Sequence, residues 1–351
     1  MIIDKYFDIC IARKASDLHI VPGFHPTIRI NNQINQLKVM EVISEEEAKN
    51  IALSLLNDQQ KEIFLSNKQI DFAYQYSNNR FRCNAYYTKG AVALAIRLLD
   101  NTIRTVEELK LPPIFHSFTT YNQGLVLITG PTGEGKSTTL ASLINEINLN
   151  QNKHIITIED PIEYVYPVGR SIISQRELYQ DAFSWTNALK ASLREDPDVV
   201  FVGAMRDYDS IGLVLTLAET GHLVYSTLHT STAPEAISRI IDVFPSDQQT
   251  QIKAQLSSVF KAVVSQRLLP SFDNTSRIPA VEVLLNNAAV STIIREGRYH
   301  LLPNVIATSE SENMILFERY LGSLLERNLI SKETAVSYAF RPKELSKFIR
   351  D

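Results

Sequence analysis

Hydrophobic and polar positions alternate with two different periods along residues 1–99. Apolar residues at helical spacing predict a helix at about 3–14 and another behind Ser44, which forms a capping box with Glu47. Shorter runs rich in β-branched and aromatic residues, separated by turn residues, predict five strands: Asp17–Val21, Thr27–Ile30, Ile70–Tyr76, Arg80–Thr88 and Ala91–Leu99. This pattern indicates an α+β domain in which a helix packs against an antiparallel meander.

The pattern changes after residues 100–118, which are predicted to be a linker because Leu111-Pro112-Pro113 cannot lie inside a helix or a central strand. From there, continuous apolar runs alternate with helical segments, and the runs are Gly124–Thr129, His154–Glu159, Asp198–Val202 and Leu223–Leu228. Such runs are typical of parallel strands covered on both faces. We therefore expect an α/β domain over 119–351.

The last third of the chain is predicted to be mainly helical. Ser246–Gln249 resembles a second capping box, and Ile252, Leu256, Val259, Phe260 and Val263 follow it at helical spacing. Residues 312–351 carry the pattern of two or three amphipathic helices. A helical C-terminal segment is therefore expected over about 285–351.

Charge and composition exclude several classes of protein. The net charge is −4, with 35 basic and 39 acidic residues, so the chain lacks the basic character of a general nucleic-acid binder. No apolar run approaches the roughly 18 residues of a membrane span, and Asp4 and Asp8 lie where a signal peptide would be cationic. Cys10 and Cys83 are too few for a disulfide framework or a four-cysteine zinc site. We expect a cytoplasmic protein without direct membrane insertion, in which both cysteines are buried.

Glycine is scarce, yet three of the 12 glycines fall within residues 130–135. Residues 130–137 match G-x-x-x-x-G-K-[ST], between a predicted strand and a predicted helix, which is the context that a phosphate-binding loop requires. Backbone N–H groups of such a loop and the helix dipole attract phosphate. The predicted nucleotide-binding residues here are Gly130, Pro131, Thr132, Gly133, Glu134, Gly135, Lys136, Ser137 and Thr138.

Three side chains of this loop have separate expected roles. Lys136 would reach the β- and γ-phosphates of ATP, and the Ser137 hydroxyl would occupy one Mg²⁺ position. Glu134 places a carboxylate beside a site built for anions. We therefore expect Glu134 to face solvent or to pair with a cation.

Further motifs follow the loop in order, and together they resemble the secretion ATPase superfamily of type II secretion and type IV pilus motors, most closely the type IV pilus retraction ATPases. The resemblance covers nearly the whole chain. It is carried by residues 154–164 (HIITIEDPIEY), 193–198 (LREDPD), 202–207 (VGAMRD), 220–222 (TGH), 227–230 (TLHT) and, near the start, 15–19 (ASDLH).

The resemblance implies a small PAS-like α+β domain followed by a RecA-like P-loop domain, in a homohexamer that binds ATP between the two domains. It further implies a motor at the cytoplasmic face of the inner membrane, acting on a pilus platform protein, and leaves open a second retraction ATPase as a partner. Extension and secretion members usually carry a long extra N-terminal domain and a four-cysteine insert, which this sequence lacks. This difference favours retraction over pilus assembly or secretion.

The resemblance also assigns roles outside the loop. Glu159, Asp160 and Glu163 match an aspartate box that can hold Mg²⁺, through Glu159, or orient the attacking water. His222 and His229 match a histidine box near the nucleotide, and Arg82 and Arg97 match arginine fingers. The alternatives are a solvated or capping carboxylate, a core histidine and a surface arginine. Arg80 has the same facing as Arg82 and stays a further candidate, while Arg194, Arg206 and Arg239 fit interface or bridging salt links equally well.

Two positions depart from the family pattern. Ala204 stands where the family has its Walker B glutamate, either as an engineered change that traps nucleotide or as a natural divergence in which Glu163 takes over. Hydrolysis is therefore expected to be reduced, and a nucleotide-gated ring without turnover is an alternative. Residues 289–293 (AVSTI) replace the usual Ala-Ile-Arg-Asn-Leu, although Ile294-Arg295-Glu296-Gly297 is retained.

Overall fold

The computed structural model describes residues 2–205 and 207–349, which form two compact units. The first unit contains residues up to Thr102 together with Ile158–Val165 and Gln175–Asn187. The second unit contains Ile103–Thr157, Tyr166–Ser174 and the chain from Ala188 onward. The sequence predicted a first domain that ends at residue 99, whereas two segments that come much later in the chain also belong to the first unit.

The first unit is a six-stranded antiparallel sheet with three helices. Its elements are α1 (Asp4–Ala12), β1 (Asp17–Ile20), β2 (Thr27–Ile30), β3 (Gln33–Gln36), α2 (Glu45–Leu55), α3 (Asp58–Asn67), β4 (Gln69–Tyr76), β5 (Asn79–Thr88) and β6 (Ala91–Leu98). The strand order is β3-β2-β1-β6-β5-β4. Phe7, Leu18, Ile51, Phe72 and Cys83 contribute to one buried core between the sheet and the helices.

Local signals explain most of this unit. Ser44 caps α2 by accepting a hydrogen bond from the Glu47 backbone N–H, and the meander β4–β6 lies within one residue of its predicted bounds. β3 and α3 were not predicted. β3 is exposed along its whole length and α3 buries only Gln60 and Phe64, so neither shows a clear apolar period.

The second unit is built around a sheet whose central strands are parallel. Its elements begin with α4 (Phe115–Phe118), β7 (Gly124–Thr129), α5 (Lys136–Asn150), β8 (His154–Glu159), β9 (Ile172–Glu177), α6 (Trp185–Ser192), β10 (Val199–Val202), α7 (Tyr208–Glu219) and β11 (Leu223–Leu228). Two later strands, β12 (Phe260–Pro270) and β13 (Arg277–Leu285), complete the sheet, and the strand order is β13-β12-β7-β11-β10-β8-β9. Every residue of β7, β10 and β11 is buried, as continuous apolar strands require. The end of β8, and β9 from Gln175, belong to the first unit.

The remaining elements extend this sheet and end the chain in helices. They are α8 (Ala233–Asp242), α9 (Gln249–Val259), β12 (Phe260–Pro270), β13 (Arg277–Leu285), α10 (Ala288–Glu296), α11 (Leu302–Thr308), α12 (Phe317–Glu326), α13 (Lys332–Tyr338) and α14 (Pro342–Leu345). Two short 3₁₀ turns lie at Tyr299–Leu301 and Glu310–Glu312. The three helices α12–α14 fit the number predicted for the tail. Within the described ranges, no helix is both long and apolar enough to cross a bilayer.

The structure corrects two predictions around α9. Ser246 does not form a capping box, because the N-cap residue is Gln248 in a helical conformation without a side-chain cap. The helical period predicted through Val263 is also wrong, since the chain leaves the helix at Phe260 and continues as β12. β12 lies between β7 and β13, and most of its residues are buried. Its apolar residues therefore fit the period of a helix as well as that of a strand.

Candidate functional site

The glycine-rich loop follows β7 and leads directly into α5, as predicted. Gly135 is the N-cap of α5, with a φ of +79° and no side-chain cap. Gly130 has a φ of +147°, and a Cβ there would lie 2.4 Å from the Gln266 carbonyl oxygen. Because the loop lies against β12 at this point, a residue with a Cβ atom does not fit at position 130. The result is a compact loop whose first helical N–H groups carry no side-chain cap, a geometry that suits phosphate.

Lys136 is buried and folds back over this loop. Its Nζ donates to the carbonyl oxygens of Gly130 at 2.7 Å and Pro131 at 2.8 Å. The ammonium group is therefore held at the centre of the loop, where a phosphate group would meet it. Ser137 and Thr138 are partly exposed on the first turn of α5, so the Ser137 hydroxyl is accessible to a metal ion.

Glu134 pairs with a cation, which confirms one of the two expectations for it. Its carboxylate lies 3.5 Å from the Arg267 guanidinium and accepts the Leu268 backbone N–H at 2.5 Å. Its own carbonyl oxygen accepts a hydrogen bond from the Gln266 side chain at 2.7 Å. The carboxylate is therefore directed at β12, where its charge is offset by Arg267.

Parallel register brings three predicted positions to the same edge of the second unit's sheet. Thr129, the last residue of β7, is paired with Leu228 of β11, and Val202 of β10 is paired with Ser226. The loop at 130–137, His229 and Ala204 thus all follow the carboxyl ends of adjacent strands, where open α/β sheets bind ligands. The Thr227 hydroxyl donates to the Gly203 carbonyl oxygen at 2.6 Å and fixes the chain just before Ala204.

His222 lies at the amino end of β11, so the structure does not bring it together with the loop at 130–137. Its Nδ1 lies 2.9 Å from the Leu217 carbonyl oxygen and 3.2 Å from the Thr220 hydroxyl, at the end of α7. His229, at the other end of β11, is exposed. Among the motif-adjacent arginines, Arg194 and Arg239 are exposed, and Arg206 lies outside the described residues.

The remaining predicted residues belong to the first unit, where Glu163 and Arg82 form an ion pair. Their side chains approach to 3.4 Å, and Arg82 also lies 3.8 Å from Asp71. Glu163 and Arg82 are 32% and 38% exposed, so both can reach a ligand. Glu159 is buried within 3.4 Å of the Gln175 amide, and Asp160 is partly exposed.

Arg97 is the direct cross-strand neighbour of Arg82. It contacts Asp17 at 2.9 Å and is 66% exposed, more than Arg82. Burial alone would raise the pKa of Asp17, but hydrogen bonds from Ser16 and Arg97 outweigh it and hold that pKa below its usual value. The sheet therefore presents two adjacent guanidinium groups on one face.

Arg80 differs from both of these arginines, because it is largely buried against Glu177. The side chains of Arg80 and Glu177 are 14% and 2% exposed and form a 2.7 Å ion pair. Arg80 Nε also donates to the Ile162 carbonyl oxygen at 2.8 Å. Burial raises the pKa of Glu177, although hydrogen bonds and Arg80 oppose the shift. Sequence reasoning missed Glu177, because nothing in its local sequence points to a partner 97 residues away.

The expected Mg²⁺ site has few protein ligands of its own. The described residues contain no group of three or more His, Cys, Asp or Glu side chains that could hold a metal ion. The Ser137 hydroxyl, on the first turn of α5, is nevertheless an oxygen donor of the kind that Mg²⁺ prefers, and Mg²⁺ usually takes further ligands from phosphates and water. This part of the second unit therefore fits a metal that arrives with a nucleotide. Glu159 is an oxygen donor of the same kind in the first unit. Cys10 and Cys83 are buried, as predicted, and burial raises the pKa of Cys10 to about 12.

Comparison with known proteins identifies the class to which this fold and loop belong. The chain belongs to the family of type II/IV secretion system proteins, whose model matches residues 1–327. It is 43% identical over 322 residues to a twitching motility protein of Neisseria gonorrhoeae, covering 92% of this chain and 86% of that protein. It is 36% identical over 330 residues to the type IV pilus retraction ATPase PilT of Pseudomonas aeruginosa, covering 94% and 95%.

A solved structure agrees with these relatives. The crystal structure of the pilus retraction motor PilT with bound ADP matches at a TM-score of 0.90 and 40% identity, covering 98% of this chain and 99% of that one. The expected resemblance to type IV pilus retraction ATPases and the expected α/β fold are thereby confirmed. The chain is a member of a family of secretion and pilus ATPases.

Proposed function

We propose that this protein is a hexameric ATPase motor that powers type IV pilus retraction. The observation that carries the proposal is the likeness to a pilus retraction motor over almost the entire length of both chains. The geometry of the loop at 130–137 supports nucleotide binding, since Lys136 is held at its centre and the first turn of α5 has no side-chain cap. Docking to a pilus platform protein at the cytoplasmic face of the inner membrane belongs to the same proposal.

The proposed roles follow the positions of the residues. Residues 130–138 hold the phosphates of ATP, and Ser137 would be a ligand of the Mg²⁺ ion, which neutralises phosphate charge when bound. Glu159 is proposed as a Mg²⁺ ligand from its match to the family motif. Glu163 orients the attacking water, and His229 contacts the γ-phosphate. Arg82 and Arg97 act as arginine fingers, in agreement with their exposure on one face of the first unit's sheet. Asp160 is proposed to contribute to nucleotide binding because it matches the family motif. His222 is not given that role, because it lies at the amino end of β11, away from the loop at 130–137.

Ala204 is proposed to slow hydrolysis without preventing nucleotide binding. A methyl group cannot orient water or accept a proton, and loss of a positioned base typically costs about 10²- to 10⁴-fold in rate. Glu163 is the remaining carboxylate for this task, since it is partly exposed and held beside Arg82. Slow turnover with tight binding is the expected kinetic pattern.

A second candidate function is that of an accessory pilus ATPase. The chain is 36% identical over all 351 residues to the type IV pilus ATPase PilU of Pseudomonas aeruginosa, which is close to its likeness to PilT. Deletion of the gene separates the two functions. Loss of twitching with excess surface pili supports the retraction motor, whereas a deletion strain with normal pili and twitching supports the accessory role. Loss of surface pili would instead indicate a motor for assembly.

The direct test combines assembly and turnover. Native mass spectrometry with Mg²⁺ and ATP should detect six copies of the chain, and a steady-state assay should detect slow hydrolysis. A monomer at saturating ATP would contradict the ring. Tight nucleotide binding without hydrolysis, both in this chain and in Ala204→Glu, would contradict the motor and indicate a nucleotide-gated ring.

A further inference from the structure

The segment 158–165, which carries Glu163, is held in place by side chains of β5 and β9 within the first unit. Arg80 of β5 and Glu177, the last residue of β9, both form hydrogen bonds with the backbone of Ile162. The Ile162 carbonyl oxygen accepts from Arg80 Nε at 2.8 Å, and its N–H donates to Glu177 Oε2 at 3.2 Å. The same Glu177 oxygen receives Arg80 Nη2 at 2.7 Å. Both backbone polar groups of Ile162, which belong to the peptide units on either side of it, are thereby tied to a single ion pair.

Glu177 is itself fixed in place by contacts on all sides. Its second carboxylate oxygen accepts the Ala73 backbone N–H of β4 at 3.1 Å, and its own N–H donates to Asp181 at 2.9 Å. A carboxylate that is 2% exposed and has this many donors cannot turn toward another partner without leaving buried groups unsatisfied. Arg80 and Glu177 therefore form a rigid support, defined here as the Ile162 clamp.

The clamp is adjacent to the proposed catalytic carboxylate. Ile162 immediately precedes Glu163, and Arg82, which pairs with Glu163, lies two residues from Arg80 on the same strand. Arg82 is also the cross-strand partner of Ala73, whose N–H binds Glu177. The backbone and the side chain of residues 162–163 are thus held by neighbouring positions of the same pair of strands.

We propose that Arg80 and Glu177 are positioning residues that orient Glu163 for hydrolysis by fixing the backbone on both sides of Ile162. This inference rests on the proposed catalytic role of Glu163. Arg80 is accordingly not an arginine finger, because its guanidinium is already committed to Glu177 and to Ile162. The clamp matters most in a chain with Ala204, where no second carboxylate stands at the Walker B position to share the task.

The first test is hydrogen exchange, which does not depend on turnover. Arg80→Ala and Glu177→Ala should speed exchange in peptides covering 158–165 by about tenfold or more, because the Ile162 N–H loses its acceptor in Glu177→Ala and that acceptor loses its support in Arg80→Ala. Glu318→Ala is the matched control. It makes the same change at another fully buried carboxylate, which pairs with Arg341 in the second unit, and it should leave exchange in 158–165 unchanged. Unchanged exchange in both clamp variants would overturn the proposal.

The second test asks whether the clamp acts through Glu163. Hydrolysis is measured in the chain as it stands and with Ala204→Glu. Arg80→Ala should lower kcat by about tenfold while the KM for ATP stays within about threefold, and Arg80→Lys should recover only part of kcat because a lysine cannot reach both partners as a fork. In the Glu163→Gln background, Arg80→Ala should have almost no further effect on kcat, since residues that act through each other are not additive.

The outcomes separate the clamp from the proposed function. An equal fall in kcat with and without Glu163→Gln would show that Arg80 acts independently of Glu163 and would overturn the inference. A rise in KM without a fall in kcat would do the same. Absence of hydrolysis both in the chain as it stands and in Ala204→Glu would instead contradict the proposed function. Hydrogen exchange in residues 158–165 would then test the clamp without the hydrolysis assay.

Discussion

The phosphate loop at 130–137 and the carboxylate segment at 158–165 are held in place by different means. The loop is fixed by its own backbone and by β12, its neighbour in the second unit. The carboxylate segment is fixed by side chains of Arg80, 82 positions before Ile162, and Glu177, 15 positions after it. Both regions therefore have contacts with distant parts of the chain, but Lys136 is placed by carbonyl oxygens of its own loop, whereas Glu163 lies on a segment held by side chains of other elements.

The largest expected effect is that of introducing a carboxylate at position 204. Ala204→Glu should raise the hydrolysis rate by about 10²- to 10⁴-fold, because it supplies a general base at the position proposed for one. Steady-state assays with Mg²⁺ and ATP measure this change. The matched control is Ala204→Gln, which adds similar bulk without a basic group and should not raise the rate. If Ala204→Glu is no faster than the parent, Glu163 already supplies the full catalytic effect.

A smaller loss is expected from the phosphate loop. Lys136→Gln should weaken hydrolysis by about 10²- to 10³-fold, since it removes a preorganised positive charge from the site, and it should also reduce affinity for ATP. Binding of a fluorescent ATP analogue and the hydrolysis assay measure the two effects. Lys153→Gln, which alters a lysine that pairs with Asp198 elsewhere in the second unit, should change neither. Unaltered affinity in Lys136→Gln would argue against phosphate binding at this loop.

Substitution of Glu134 measures how much the contact between the loop and β12 contributes to stability and to nucleotide affinity. Glu134→Gln removes the charge that faces Arg267 and weakens the hydrogen bond from Leu268, so the free energy of unfolding should fall by about 1–3 kcal/mol. Because the carboxylate is directed at β12, affinity for the ATP analogue should change by less than about threefold. Denaturant unfolding and the binding assay check both statements. A large gain in affinity would mean that Glu134 opposes phosphate in the native loop.

The smallest expected effect on stability is that of Arg97→Gln. Arg97 is 66% exposed, and exposed ion pairs contribute about 0–1 kcal/mol. The pKa of Asp17 is lowered in the folded protein, so this contribution is present at neutral pH and is lost as the pH falls through the folded pKa of Asp17. The difference in melting temperature between parent and variant should therefore be largest at pH 7 and should shrink as the pH is lowered through the acidic range. A difference that stays constant over this range would indicate that Arg97 acts through packing instead.

The sequence allowed the phosphate loop and the parallel strands around it to be predicted, because both signals are contained in short stretches. The three adjacent apolar strands and the glycines at 130–135 need no knowledge of distant residues. β12 was mistaken for a continuation of α9, since a strand buried on both faces shows no polar period that would distinguish it from a helix. The burial of the strand became visible only with its neighbours β7 and β13.

The clamp could not have been found in the same way. Arg80 and Glu177 are 97 positions apart, and each has an ordinary local context, a strand in one case and the end of a strand in the other. The sequence left Arg80 as one of several candidate arginines with the same facing. Only the tertiary structure separates it from Arg82 and Arg97, because burial and partner choice differ among the three.

The hydrogen bond from Ala73 to Glu177 has a consequence for solubility. β4 is an edge strand of the six-stranded sheet, and it is eight residues long and rich in aromatic side chains. Unpaired N–H groups on such an edge can recruit a strand from another molecule and begin aggregation. The opposite edge, β3, is short and polar and presents little risk. By occupying the Ala73 N–H, Glu177 blocks edge-to-edge pairing at the middle of the more hazardous edge.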